Sequence, residues 1–226
     1  MSAPSKTIYF TRHAQAEHNV ADDYSIADAP LTALGREQSA RLSPLTAGTI
    51  QKTAELVVSS PLRRPMQTML EGYPELVQRL QSAGKPPLLL TIAQEINAYP
   101  CDTGSEPHLL TSDPEFASLD FSDVHPNWTN KQGIYDPANA GERARKCREW
   151  IRQRPESEIV FVAHGDILRW ITDGYNSGKY WGNAEVRTYT FKHDDDEQAL
   201  VVPKPGGLHY EVGDKGPTSS SHQFNK

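Results

Sequence analysis

Between Glu158 and Asp173 the chain reads EIVFVAHGDILRWITD. Glu158–Ala163 is short, apolar and rich in β-branched residues, the mark of a strand covered on both faces. The segment from Asp166 to Asp173 has the character of a helix that opens directly after that strand. Three other runs have the same strand character: Thr7–Thr11 (TIYFT), Glu55–Ser59 (ELVVS) and Leu88–Ile92 (LLLTI). Helical segments lie between them. Thr32 is a candidate N-cap for a helix over Ala33–Leu42. Pro61 suits the first turn of a helix running to about Leu80, with Met66, Met69, Leu70, Leu76, Val77 and Leu80 at three- and four-residue spacing. The Gly72-Tyr73-Pro74 sequence should kink or break it. A further helix spans Asn139 to Arg154. Strand and helix alternate, so the expected fold is α/β: a three-layer sandwich with a mostly parallel central sheet and helices on both faces.

At 226 residues, the chain is expected to form one domain over residues 1–212, followed by a disordered polar tail over 213–226. Hydrophobic residues make up 37% of the chain, and no apolar stretch approaches the ~18 residues of a membrane span. The opening MSAPSKTIYF lacks the layout of a secretory signal. With 29 acidic against 23 basic residues and a net charge of −6, the balance points away from nucleic-acid and membrane partners. Only Cys101 and Cys147 are present, too few for a disulfide framework, which fits a cytoplasmic protein. Asn127-Trp128-Thr129 matches a glycosylation acceptor, read as a chance occurrence in a chain without a signal. The stretch from Ala93 to Pro137 is long, Pro-rich and poor in periodicity, as substrate lids often are. Val186–Lys192 and Leu200–Val202 read as a hairpin whose tip, His193 to Glu197, is a solvated acidic loop rather than a metal site.

The chemistry is carried by the strand ends. The first strand ends in Arg12-His13 and the fourth in His164-Gly165-Asp166, while the second delivers Arg63 and Arg64. In open α/β sheets ligands bind beyond the carboxyl ends of the strands, so His13, His164 and an arginine are expected to face one pocket. That set suits a phosphate. Guanidinium groups match phosphate oxygens with paired hydrogen bonds, and the helix opening after His164 would aim free N–H groups at the same anion. A neutral histidine nitrogen can attack phosphorus, and departure of an alcohol then needs a Glu or Asp as proton donor.

In order along the chain stand Arg12-His13 with Asn19, Ser60-x-Leu62-x-Arg64-x-x-x-Thr68, Glu95, and Ala163-His164-Gly165. Together they resemble the histidine phosphatase superfamily, whose members are phosphoglycerate-mutase-like. Leu31-Thr32-x-x-Gly35-x-x-Gln38 supports the likeness, and Pro100-Cys101-Asp102-Thr103-Gly104 is similar to the fungal and plant-type branch. The motifs cover Arg12 to about Trp170. The resemblance implies a phosphohistidine mechanism with His13 as nucleophile. Arg12, Arg64, His164 and Gly165 would bind the phosphoryl group, with Asn19 as a further donor and Glu95 as the acid. Glu17, Asp102 and Asp166 are its rivals for that role. Ala14 departs from the usual Gly at the third position of the first motif, a mild change. No metal or organic cofactor is implied, because the arginines and histidines supply the positive charge; His13 and Glu17-His18 have three spacer residues where the His-x-x-Glu-His zinc motif has two.

The expected activity is hydrolysis of a small phosphorylated metabolite. The alternatives are a phosphoglycerate mutase-type transfer and a non-catalytic protein that binds a phosphorylated ligand. The Glu106 to Asp136 stretch is acidic and Pro-rich where glycolytic mutases carry basic clamps, which favours hydrolysis. Tyr99, Trp128, Tyr135 and Trp181 could line a lid or be buried packing.

Overall fold

The computed structural model describes residues 2–212; the expected disorder of 213–226 lies outside them. Seven strands form one sheet: β1 (Thr7–Arg12), β2 (Leu56–Ser59), β3 (Leu88–Leu89), β4 (Glu158–Ala163), β5 (Val186–Phe191), β6 (Val201–Pro203) and β7 (His209–Tyr210). The order is β3-β2-β4-β1-β5-β6, with β7 also on β5. Pairs among β1 to β4 are parallel, as expected, whereas β5 runs antiparallel to β1, β6 and β7.

Side chains alternate along each central strand and sort into two cores. Ile8, Phe10, Val58, Ile159 and Phe161 point to one face, and Tyr9, Val57, Val160 and Val162 to the other. The first face is covered by α7 (Ala140–Gln153) and α8 (Gly165–Asp173), through Ala144, Cys147, Ile151, Ile167 and Ile171. The second is covered by α2 (Ala33–Thr46), α3 (Ile50–Thr53), α4 (Arg63–Gly72) and α5 (Pro74–Ser82), through Leu42, Ile50, Met66, Met69 and Leu76. Helices therefore lie on both faces of the sheet. Two short helices, α1 (Glu17–Val20) and α6 (Pro107–Thr111), stand outside these layers in sequence.

The sequence reading differs from the structure at several ends. The helix expected from Pro61 starts at Arg63, because the Arg63 N–H is capped from a distant loop by the Asp28 carboxylate (2.9 Å). The break at Gly72-Tyr73-Pro74 separates α4 from α5 as expected, with Pro74 in the first turn of the second helix. Helix α2 runs past Leu42 to Thr46, whose hydroxyl donates back to the Leu42 carbonyl (2.8 Å). The expected strand Leu88–Ile92 is only Leu88–Leu89. At the sheet edge it pairs on one side, and Thr91–Ala93 winds into a 3₁₀ turn that carries Gln94 and Glu95 inward. The Ala93–Pro137 segment is α6 and a chain of 3₁₀ turns around buried Phe116 and Trp128. Its Trp128 ring lies on Gly104, where an added Cβ would stand 1.9 Å from Trp128 Cη2. The acidic tip does more than face solvent, since Asp194 accepts from Ala3 N (2.6 Å) and Asp196 from Arg152.

The Thr32–Gln38 motif has a mechanical reading. Thr32 Oγ1 caps α2 by accepting from Gly35 N (2.9 Å), and Gln38 Oε1 accepts from Gln15 N (2.9 Å). Helix α2 is thereby drawn against the strand-end loop, so close that a Cβ on Gly35 would stand 1.9 Å from the Gln15 carbonyl oxygen. Helix propensity alone predicts that Gly35→Ala stabilises the chain by about 1 kcal/mol. The steric term wins, because the obstacle is backbone, and overpacking of this kind costs about 1–3 kcal/mol or more. Thermal unfolding should show a lower melting temperature for the variant; an unchanged or raised value would refute the close-approach reading.

Candidate active site

Strand register explains how the two histidines, 151 residues apart in sequence, come together. In the β1–β4 ladder Arg12 stands opposite Ala163, and the His13 N–H donates to the Ala163 carbonyl (2.9 Å). The next residue of each chain is a histidine, and the rings of His13 and His164 lie 5.1 Å apart. On the other flank of β4, Ser60 N donates to the Val162 carbonyl (3.0 Å), which sets Ser60 Oγ 2.9 Å from His164 Nε2. Three adjacent strand ends thus build one buried pocket floor.

His13 Nδ1 lies 2.6 Å from the Ala14 carbonyl, which can only accept, so this nitrogen carries the proton. The lone pair of the neutral ring is then on Nε2, where Arg64 Nε–H donates to it (3.1 Å). Burial, followed by the nearby Arg64 and Arg12 charges, holds His13 well below the ordinary histidine pKa. Burial and Arg64 act on His164 in the same direction. His18 was assigned no role from sequence, yet its ring is 6.1 Å from that of His13, and burial with Arg64 and Arg12 pushes it down to about 2. The buried histidines around His13 are therefore neutral at physiological pH.

Arg64 is fully buried and held by α4, with Nη1 donating to the Cys101 carbonyl (2.5 Å) and Nη2 to Asp102 (3.2 Å). Thr68, one turn on, accepts from Ala14 N (3.0 Å) and donates to the Arg64 carbonyl (2.8 Å), which ties the first and second motifs together. Arg12 donates from Nη1 to the Trp181 carbonyl (2.6 Å). Its Nε, with His18 Nδ1 and His164 Nδ1, is buried with no hydrogen-bond partner among the described residues. Unpaired polar atoms on three residues around His13 are the signature of a polar ligand site. Asn19 Oδ1 accepts from Ala16 N (2.9 Å), and its amide nitrogen lies 3.0 Å from His18 Nε2. Gly165 opens α8, with His164 as its N-cap residue.

The carboxylates depart most from the sequence reading. The N-terminus of α8, expected to face the phosphate, is taken by Glu95. Its Oε2 accepts from Asp166 N (3.2 Å), and its Oε1 from Ile167 N (3.0 Å) and Ile96 N (2.9 Å). Those amides satisfy the carboxylate and use the donors that a substrate would otherwise have found there. Asp102 and Asp166 are both buried near it. Burial first, then the Glu95 charge, raises Asp102 to about 6 and Asp166 to about 7. Glu17 is exposed on α1.

A cation from the Pro-rich segment also arrives. Lys131 Nζ donates to the Glu95 carbonyl (3.0 Å), so the stretch read as acidic and without a basic group for the site supplies one. Sequence carried no signal for it, because its place depends on the path of an aperiodic loop. Of the aromatic residues, Trp128 and Trp181 are fully buried packing, and Tyr135 pairs with the Thr91 hydroxyl (2.8 Å). Tyr99 is 46% exposed and stacks on Tyr24. Glu185, His209 and Glu211 come close enough to share a cation, but the Glu185 carboxylate already accepts from Arg187, Gly182 N and His209. Cys101 and Cys147 are free and buried.

Residues 8–199 match the histidine phosphatase superfamily (branch 1). A Schizosaccharomyces pombe protein named as a probable phosphatase is 29% identical over 171 residues, covering 73% of this chain and 76% of its own. Phosphoglycerate mutase-like protein 1 of Arabidopsis thaliana is 30% identical over 201 residues, covering 72% and 69%. Among solved structures, the alpha-ribazole phosphatase of Shigella flexneri superposes with a TM-score of 0.55 at 17% identity, covering 93% of this chain and all of its own. A phosphoserine phosphatase mutant of Entamoeba histolytica in complex with phosphoserine gives 0.53 at 17%, covering 96% and 99%.

The raised Asp166 gives a stability test with a defined sign. Its pKa is about 7 folded against 3.8 as the ordinary value, so the folded state binds the proton more tightly. That contribution is complete below about 3.8 and is lost as pH rises towards 7. Glu95 and Asp102 oppose its ionisation, while Arg169 and Arg12 favour it. Asp166→Asn removes the titration, so its melting temperature should rise relative to wild type between pH 4 and 7. A difference that stays flat over that range would overturn this account.

Proposed function

Since the chain belongs to branch 1 of the histidine phosphatase superfamily, we propose that it hydrolyses the phosphomonoester of a small metabolite through a phosphohistidine on His13. One observation carries the reading: the Nδ1–H of His13 is fixed on the Ala14 carbonyl, and its Nε2 lone pair meets Arg64 Nε at the pocket floor. A nucleophile of fixed tautomer beside a buried guanidinium is the arrangement that phosphoryl transfer to nitrogen requires.

In the first step the Nε2 lone pair attacks phosphorus, the N–P bond forms and the P–O ester bond breaks. Arg12, Arg64 and His164 receive the phosphoryl oxygens, with Asn19 and the backbone at Gly165 beside them. Glu95 enters this step as the carboxylic acid and gives its proton to the leaving alkoxide, becoming the carboxylate. In the second step the Glu95 carboxylate takes a proton from water, whose oxygen attacks phosphorus, and the P–N bond breaks to release phosphate and neutral His13. Asp102 is the second reading for the acid, supported by its contact with Arg64 and its elevation to about 6. Relatives named phosphatase and solved neighbours titled as phosphatases support hydrolysis. The mutase-like name of the plant relatives keeps the transfer reading as the runner-up.

Phosphate release from a panel of phosphomonoesters should be abolished by His13→Ala with the melting curve preserved. Turnover by the purified variant would remove His13 as nucleophile. Silence from both proteins would favour the mutase or ligand-binding reading. Glu95→Gln should slow alkyl esters by about 10²-fold or more, the usual weight of a general acid, and nitrophenyl esters far less. Equal losses would move the proton-donor role to Asp102.

A further inference from the structure

The Pro-rich segment grips the chain at the very residues that precede and include the acid. Gln94 Nε2 donates to the Trp128 carbonyl (3.0 Å), and three residues on Lys131 Nζ donates to the Glu95 carbonyl (3.0 Å). The same carbonyl accepts from Arg143 Nη2 on α7 (3.2 Å). Both lone pairs of one backbone oxygen are thus taken, one by the Arg143 guanidinium and one by the Lys131 nitrogen, whose pKa burial and then the Arg143 charge push down to about 7. Arg143 is fully buried, and its Nε and Nη1 have no hydrogen-bond partner among the described residues, so the guanidinium is placed here at a desolvation cost. Lys131 is itself held in a left-handed backbone conformation (φ 50°), uncommon for a residue with a side chain. It is half-buried and points inward to Glu95 when a lysine there could have kept its ammonium in water.

Among the described residues, no cation pairs with the Glu95 carboxylate. The side chain leaves the held carbonyl and spans to the amides at the start of α8. Where that carboxylate sits is set by two anchors: the α8 amides at its tip and the Lys131–Arg143 pair at its base. The tip anchor must loosen when the carboxyl turns to a leaving oxygen, and the base anchor then alone keeps residue 95 in register.

We propose that Lys131 is a positioning residue for proton transfer: through the Glu95 carbonyl it holds the acid in place, which makes the Pro-rich segment part of the catalytic apparatus. This rests on Glu95 being the proton donor.

The test uses the full chain and the ratio of kcat for an alkyl phosphate to kcat for p-nitrophenyl phosphate, in wild type, Lys131→Met, Lys131→Gln, Lys131→Arg and Glu95→Gln. A general acid matters for the first substrate and little for the second, so the ratio reads donor placement and not the amount of folded protein. The expected result is a ratio lowered by about tenfold in Lys131→Met and Lys131→Gln, a tenth or less of the full general-acid effect. Lys131→Arg, which keeps a cationic donor, should return most of it. Equal losses on both substrates, or no loss on either, would overturn the proposal. Should Glu95→Gln leave the ratio unmoved, the donor assignment fails first and this inference falls with it. A ratio moved by Glu95→Gln but not by the Lys131 variants sinks the positioning role alone.

Discussion

Parallel pairing of β1 with β4 is the constraint from which the site follows. A parallel ladder fixes neighbouring residues in step, so strands that end together deliver their next residues together. With Arg12 opposite Ala163, His13 and His164 have nowhere to go but beside one another. Pairing of β2 on the far side of β4 brings Ser60, and four residues later Arg64, to the same edge. A slip of one residue in that ladder would send every side chain of β1 to the opposite face and carry His13 away from His164 and Arg64. The two apolar cores make such a slip prohibitive, since Ile8 and Phe10 would exchange layers with Tyr9. Stability and catalysis thus draw on the same register.

The site gathers an unusual density of buried charge. Arg12, Arg64, Lys131, Arg143 and Arg169 stand around Glu95, Asp102 and Asp166, all within a few layers of the sheet edge. Burial alone would expel such groups, and single members would be costly. They persist because each is bonded to backbone or to an opposite charge: Arg64 to the Cys101 carbonyl and Asp102, Arg169 to Asp166, and Glu95 to the α8 amides. Burial and the cations nearest His13 lower its basicity, which keeps Nε2 unprotonated as the acceptor of the Arg64 Nε–H bond. Burial and neighbouring acids raise the carboxyl groups of Asp102 to about 6 and Asp166 to about 7, well above the ordinary range. One desolvated cluster pushes bases down and acids up.

What was legible in the sequence was whatever depends on periodicity and strand ends. The runs at Thr7, Glu55 and Glu158 alternate between two buried faces, and residues just past them carry the chemistry, so His13, Arg64 and His164 could be placed together before any geometry. The caps were harder, because Asp28 reaches α4 from a loop 35 residues away. Glu95 was legible as a residue but not in its setting: nothing in the pattern says that its side chain would occupy the start of α8. Lys131 was not legible at all, for it arrives on 3₁₀ turns whose path is set by where Trp128 and Phe116 find cover. Apolar burial steers such a segment through contacts far apart in sequence, and no local period records them.

The seat of Trp128 on Gly104 has a consequence for how this scaffold can diversify. It closes the intervening chain into a loop whose two ends are pinned beside the catalytic floor. Lengthening a closed loop is cheap in entropy: each doubling costs only about 0.6 kcal/mol. Insertions and deletions between the pins can therefore reshape the mouth of the pocket while the floor keeps its geometry, and the glycine and the indole become the hinge pin and its socket on which new mouths are hung.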